Sequence, residues 1–178
     1  MRVTTGKYRG RKLIENKYDH IRPTADVVKQ AVFNKLAFVV LDSRVLDLFC
    51  GTGALGIEAI SRGASEVVFA DKDPRSVALT KSNLKNLGVV EKHRVITGDY
   101  KNVIKMLSGQ NFDIIILDPP YQSGVYEDAI QKIYDSKLLS DDGIIVCEHN
   151  QKDEFNFVPF EVVDEKVYGI KKISYLKY

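Results

Sequence analysis

From residue 42 onward, short apolar runs rich in β-branched residues alternate with helix-length stretches of mixed polarity. The runs Arg44–Phe49, Glu66–Asp71, Arg94–Thr97, Phe112–Asp118 and Gly143–Glu148 read as strands. Between them, Ala54–Arg62, Pro74–Leu87, Tyr100–Leu107 and Tyr126–Lys137 carry helical spacing or a helix-start signal. Pro74 suits a first helical turn, where its missing N–H costs nothing, and Gly88 falls where that helix should stop. The unbroken run Ile114-Ile115-Ile116-Leu117 predicts a strand covered on both faces. Strand and helix alternating through short connections predict a doubly wound α/β fold, a parallel sheet with helices on both sides.

Both ends depart from that rhythm. Thr24–Phe38 reads as an amphipathic helix with Val27, Val28, Ala31, Val32 and Leu36 on one side and Thr24 as its N-cap. Residues 1–15 read as a short hairpin turning near Gly6 or Gly10. Glu161–Val167 and Lys171–Leu176, broken at Gly169, follow one another with no helix between them, so they should pair antiparallel at the sheet edge. That makes seven strands. One domain is expected over residues 1–178, with an N-terminal extension over 1–40 and a catalytic core over 41–178.

Composition narrows the class. Hydrophobic residues make up 44% and charged residues 28% of the 178, which excludes collagen-like and largely disordered chains. No apolar run reaches the length of a spanning helix, and Met1-Arg2-Val3-Thr4 lacks the build of a signal peptide. Cys50 and Cys147 form neither a disulfide framework nor a metal knuckle, and none of the three His has a ligand companion. The expectation is a cytoplasmic monomer with ordinary buried thiols, no metal and no membrane. Charge is uneven: residues 1–35 hold nine Lys or Arg against three acids, leaving a net of −4 on the rest of a chain whose total is +2. A basic arm on an acidic body suits a phosphate-bearing partner at one face.

Asp47-Leu48-Phe49-Cys50-Gly51-Thr52-Gly53-Ala54-Leu55-Gly56 follows the first strand and opens a helix. Gly51, Gly53 and Gly56 spell G-x-G-x-x-G, a tight turn whose backbone can approach a nucleotide-like ligand. Asp71 ends the second strand, twenty residues after Gly51, where a carboxylate accepts from ribose hydroxyls. NAD and S-adenosylmethionine both fit such a crevice. Asp47, four residues before Gly51, is awkward for a dinucleotide and suits a ligand bearing an amino group. Asp99 could accept from an exocyclic adenine amine or cap the following helix, and the two roles are compatible.

Asp118-Pro119-Pro120-Tyr121 ends the fourth strand, next to the first at the switch point of the sheet, so it should face the ligand crevice. An acid, a rigid carbonyl and an aromatic ring on one short loop suit a planar amine. Asp118 and the Pro119 carbonyl can each accept from an NH₂ group, Pro120 stiffens the loop, and Tyr121 stacks on the ring. Drawing both hydrogens aside frees the nitrogen lone pair for attack on a methyl sulfonium. A base in a stack must be extruded to reach such a pocket, and the basic arm would hold the phosphates around it.

The glycine-loop run Asp47–Ala59 and Asp118–Tyr121 resemble the RsmD family of bacterial 16S rRNA guanine-N2 methyltransferases. The likeness extends to Gly6-Lys7-Tyr8-Arg9-Gly10-Arg11-Lys12-Leu13, Arg22-Pro23-Thr24, Ser61-Arg62-Gly63-Ala64 and Tyr168-Gly169, and so to essentially the whole chain. It implies a class I methyltransferase sheet and S-adenosylmethionine as cofactor. It also implies methyl transfer to the N2 amine of one guanine in 16S rRNA, within an assembled or nearly assembled 30S subunit. Asp118, Pro119, Pro120 and Tyr121 would then be catalytic, Asp47, Gly51, Gly53, Asp71 and Asp99 would hold the cofactor, and Arg9, Arg11, Lys12 and Arg22 would contact RNA.

Three other readings compete. An adenine-N6 DNA methyltransferase would use the same amine motif but needs a base-reading domain for which 178 residues leave little room. A dehydrogenase sharing G-x-G-x-x-G would leave Asp118–Tyr121 without a role. A non-catalytic RNA assembly factor would keep the cofactor pocket as a relic.

Overall fold

The computed structural model describes residues 1–15, 26–119 and 124–178. The elements run α1 (Asp26–Lys35), β1 (Arg44–Asp47), α2 (Ala54–Ser61), β2 (Glu66–Asp71), α3 (Pro74–Leu87), β3 (Lys92–Thr97), α4 (Tyr100–Met106), β4 (Phe112–Leu117), α5 (Val125–Asp135), β5 (Leu139–Asn150), β6 (Glu161–Tyr168) and β7 (Lys171–Lys177). Among the described residues the strands form one seven-stranded sheet in the order β3-β2-β1-β4-β5-β7-β6. The first five are parallel, and β7 runs antiparallel to both β5 and β6. The expected C-terminal hairpin is therefore present at the sheet edge.

Alternation along each strand builds two cores. Val45, Val67, Phe69, Ile114 and Ile116 face Val28, Val32 and Phe33 of α1, Ile57 and Ile60 of α2, and Leu84 and Leu87 of α3. Leu46, Val68, Ala70, Ile115 and Leu117 face Val103 and Ile104 of α4 and Tyr126, Ile130 and Ile133 of α5. The central strands are thus covered on both sides, as their apolar runs require.

Boundaries moved where side chains compete with local signals. β1 stops at Asp47, two residues short of Phe49, because the glycine turn begins there. β5 starts at Leu139, ahead of the expected Gly143. The turn-like Ser140-Asp141-Asp142-Gly143 is accommodated as an irregularity between the Phe112↔Leu139 and Ile114↔Ile144 pairs. α5 ends at Asp135, and Lys137 turns left-handed with φ 48°. Asp26–Lys35 of the N-terminal helix is observed, whereas Thr24 lies outside the described residues.

The N-terminal hairpin closes through Val3 N–H to Arg11 O at 3.0 Å and Gly10 N–H to Val3 O at 2.8 Å. It docks on α2 through Glu58, an acid buried in an otherwise apolar helix. The Glu58 carboxylate accepts from Thr4 N–H at 2.8 Å, Thr5 N–H at 3.1 Å and Arg62 Nε at 2.9 Å, and the buried Lys29 ammonium of α1 stands 3.6 Å away. That stacking runs the hairpin alongside α2 and α3 toward the glycine turn.

Candidate active site

The glycine turn is held by α3 and by the sheet. Gly53 has φ 78° and lies so close to α3 that a Cβ would meet Thr80 Cγ2 at 2.8 Å. Gly56 lets α2 lie on the sheet, since a Cβ there would meet the Phe69 ring at 2.2 Å. The Thr80 hydroxyl donates to Gly51 O at 3.0 Å, and the Asn83 amide donates to Thr52 O at 2.9 Å. Among the described residues nothing stands within 4 Å of where a Cβ on Gly51 would be, leaving the backbone open to a ligand.

Three carboxylates stand at the ends of the neighbouring strands β2, β1 and β4. Asp47, buried at the end of β1, accepts from the Gly56 N–H at 2.9 Å and so ties the strand to the first turn of α2. Asp71, at the end of β2, accepts from the Gly51 N–H at 3.0 Å and the Asp73 N–H at 2.9 Å. Asp118 follows β4, and Pro119 beside it is buried. Burial pushes Asp47 up to about 7, the Gly56 N–H partly offsets that, and the charges of Asp118 and Asp71 push it further. Burial pushes Asp118 up to about 6, against the pull of the Lys171 ammonium. Acids whose charges raise one another suit a ligand that brings a positive charge of its own.

Asp99 performs its capping role. Its carboxylate accepts from the Lys101 N–H at 3.0 Å at the start of α4, and it remains exposed at the end of β3. Pro120, Tyr121 and Arg22 lie outside the described residues. Arg9, Arg11 and Lys12 are exposed on the N-terminal hairpin, with the Arg11 guanidinium donating to Asn86 O at 3.1 Å beside the end of α3. Other cations of the basic arm are paired within the chain: Lys7 with Glu91 and Lys35 with Asp164 at the surface, and Lys29 with Glu58 in the interior.

Four residues near the site escaped the sequence reading. Asn83 binds the glycine turn and the hairpin together, and Glu58 anchors that hairpin. Glu148 and Lys171 form a buried ion pair on β5 and β7. Glu58 was visible as a lone acid in Ala54-Leu55-Gly56-Ile57-Glu58-Ala59-Ile60, and Glu148 as a charge ending an apolar strand. Asn83 and Lys171 give no comparable signal.

The family described as Conserved hypothetical protein 95 matches residues 1–177. The chain is 35% identical to the ribosomal RNA small subunit methyltransferase D of Haemophilus influenzae over 182 residues, covering 100% of this chain and 93% of that protein. Its fold matches the proposed methyltransferase yhhF of Escherichia coli with a TM-score of 0.88 at 32% identity, over 99% of this chain and 97% of that one. A Podospora anserina methyltransferase solved with S-adenosylhomocysteine bound is 28% identical with a TM-score of 0.58, over 71% of this chain and 56% of that one.

Proposed function

This chain belongs to the RsmD family, described as Conserved hypothetical protein 95, and on that premise we propose that it methylates the N2 amine of a guanine in small-subunit ribosomal RNA. Its cofactor is S-adenosylmethionine, and the site fits that group. The turn at Gly51 and Gly53 leaves an open backbone cradle, Asp71 stands where ribose hydroxyls would donate, and Asp47 offers a carboxylate to an ammonium. When bound, the cofactor supplies an electrophilic methyl group on a positively charged sulfur.

The observation that carries the reading is the meeting of Asp47 and Asp118 at the ends of the adjacent strands β1 and β4, where the sheet switches direction. A substrate amine at Asp118 therefore lies against the cofactor crevice. Asp118 accepts one N–H of the amine and the Pro119 carbonyl the other, turning the nitrogen lone pair out of conjugation with the ring. With its proton affinity raised to about 6, Asp118 can also hold the proton that the amine sheds. Tyr121, from its place in the motif, stacks on the extruded base. Arg9, Arg11, Lys12 and Arg22 contact the surrounding phosphates.

Labelled methyl transfer tests this reading with three substrates: 30S particles lacking the modification, protein-free 16S rRNA and duplex DNA. N2-methylguanosine recovered from the 30S particles is the expected product. N6-methyladenine in DNA would replace the proposal with the adenine reading, and no label in any of the three would refute it.

A further inference from the structure

Glu148 and Lys171 stand on the two strands beyond Asp118, and the transfer chemistry above uses neither. Leu117, the last residue of β4, pairs with Cys147 of β5, so Asp118 leaves its strand beside the position where β5 continues into Glu148. Glu148 pairs with Ile173 of β7, and Lys171 follows two residues away, opposite Asn150. The two-residue period puts Asp118, Glu148 and Lys171 on one face of the sheet, the face that carries Ile116 and Asp47. Glu148 is 6% exposed, and the Lys171 side chain 14%. The two form an ion pair, and the Lys171 charge reaches Asp118. The Tyr126 hydroxyl donates to the Glu148 carbonyl oxygen, fixing the strand end.

A buried ion pair contributes little to stability, because desolvation offsets the attraction. Beside a reacting carboxylate, its value lies in its chemistry. A carboxylate accepts at several lone pairs and an ammonium donates three hydrogens, so each can serve a ligand as well as its partner. Across β4, β5 and β7 the edge presents acceptor, acceptor and donor. The Watson–Crick edge of guanine presents the complement in the same order: the N2 amine, N1–H and O6. Adenine with its N6 amine at Asp118 would instead turn the N1 lone pair toward Glu148.

We propose that Glu148 and Lys171 select guanine, Glu148 accepting from N1–H and Lys171 donating to O6 while Asp118 receives the N2 amine. The assignment rests on the guanine-N2 reading above. Both groups act on parts of the base that do not react, so they raise specificity by leaving a buried partner unmatched when the wrong base enters.

The experiment uses small-subunit particles reconstituted from rRNA with either guanine or 2-aminopurine at the position that the wild-type enzyme methylates. 2-Aminopurine keeps the N2 amine but has a lone pair at N1 and no O6. Wild-type protein should prefer guanine by about a hundredfold or more in kcat/KM. Glu148→Gln offers an amide N–H to the N1 lone pair and should cut that preference at least about tenfold. Lys171→Met should lose activity on guanine and little on 2-aminopurine. Cofactor affinity, measured alongside, should stay at the wild-type level in both variants. Parallel losses on the two bases, or wild-type preference in Glu148→Gln, would overturn the assignment. Failure of the wild-type protein to form N2-methylguanosine in guanine particles would instead remove the reading on which it rests.

Discussion

Asn83 clasps Ile14 from both sides: its amide oxygen accepts from the Ile14 N–H at 2.7 Å, and its amide nitrogen donates to the Ile14 carbonyl at 3.1 Å. The same nitrogen donates to Thr52 O at 2.9 Å in the glycine turn. One buried side chain thus joins the basic hairpin, α3 and the cofactor cradle. Asn83→Ala leaves backbone groups of two segments unmatched and should destabilise the protein by about 1–3 kcal/mol in urea titration. S-adenosylmethionine affinity should fall several-fold with it. Unchanged cofactor affinity in the folded variant would show that the clasp holds the hairpin without tuning the cradle.

Asp118→Ala tests the amine role directly. The carboxylate follows β4 and, in the proposed mechanism, holds the substrate amine, whereas the glycine turn is braced by Asp47 and Asp71. Methyl transfer should fall by about 10²- to 10⁴-fold, the range of general acid–base contributions, with cofactor binding nearly intact. Wild-type turnover in this variant would remove Asp118 from the mechanism.

Asp47 makes the empty protein sensitive to alkali. A carboxyl raised to about 7 in the folded state holds a proton there that the unfolded chain releases near 3.8. Its contribution to stability is therefore fully present below about 4 and is lost as pH rises through about 7. Glu91, held down to about 2 by Lys7 and the Tyr8 hydroxyl against its own burial, is ionised in both states across that upper range. His149, which burial pushes down, works in the opposite sense near its ordinary value of 6.5. Comparing Asp47→Asn with wild type cancels both, while Asp118, raised to about 6 and acting on Asp47 through its charge, shifts the difference in the same sense as Asp47. The stability difference, measured by urea unfolding from pH 5 to 8 without cofactor, should move in favour of the variant up to about pH 7 and level off above it. A flat difference would mean that Asp47 titrates normally.

Much of the site was legible because its parts are local. The α3 boundaries at Pro74 and Leu87 follow from proline at a first turn and glycine after the last, and both are observed. The Gly51–Gly56 turn and Asp71 are fixed by a strand, a helix and the next strand in succession, so their spacing carries their geometry. Glu148 and Lys171 become neighbours only when β7 inserts between β5 and β6, a pairing between residues far apart in sequence. Lys29 looked like one more cation in a basic arm. Its burial against Glu58 depends on α1 packing over α2, which no local pattern encodes.

That distinction divides the basic arm into two kinds of charge, and substitutions should separate them. Arg9 and Lys12 are exposed on the hairpin, where RNA phosphates can reach them. Arg9→Ala together with Lys12→Ala should lower the slope of log affinity against log salt by about one unit for each phosphate left without its cation, with stability unchanged. Lys29 should behave in the opposite way. Lys29→Met leaves the buried Glu58 carboxylate without one of its cations and should destabilise the fold by about 3–5 kcal/mol, the cost of breaking a buried pair from one side. At temperatures where that variant stays folded, its salt slope should match wild type. A Lys29 variant with a reduced slope and full stability would place its ammonium on the RNA and break the proposed division of the arm.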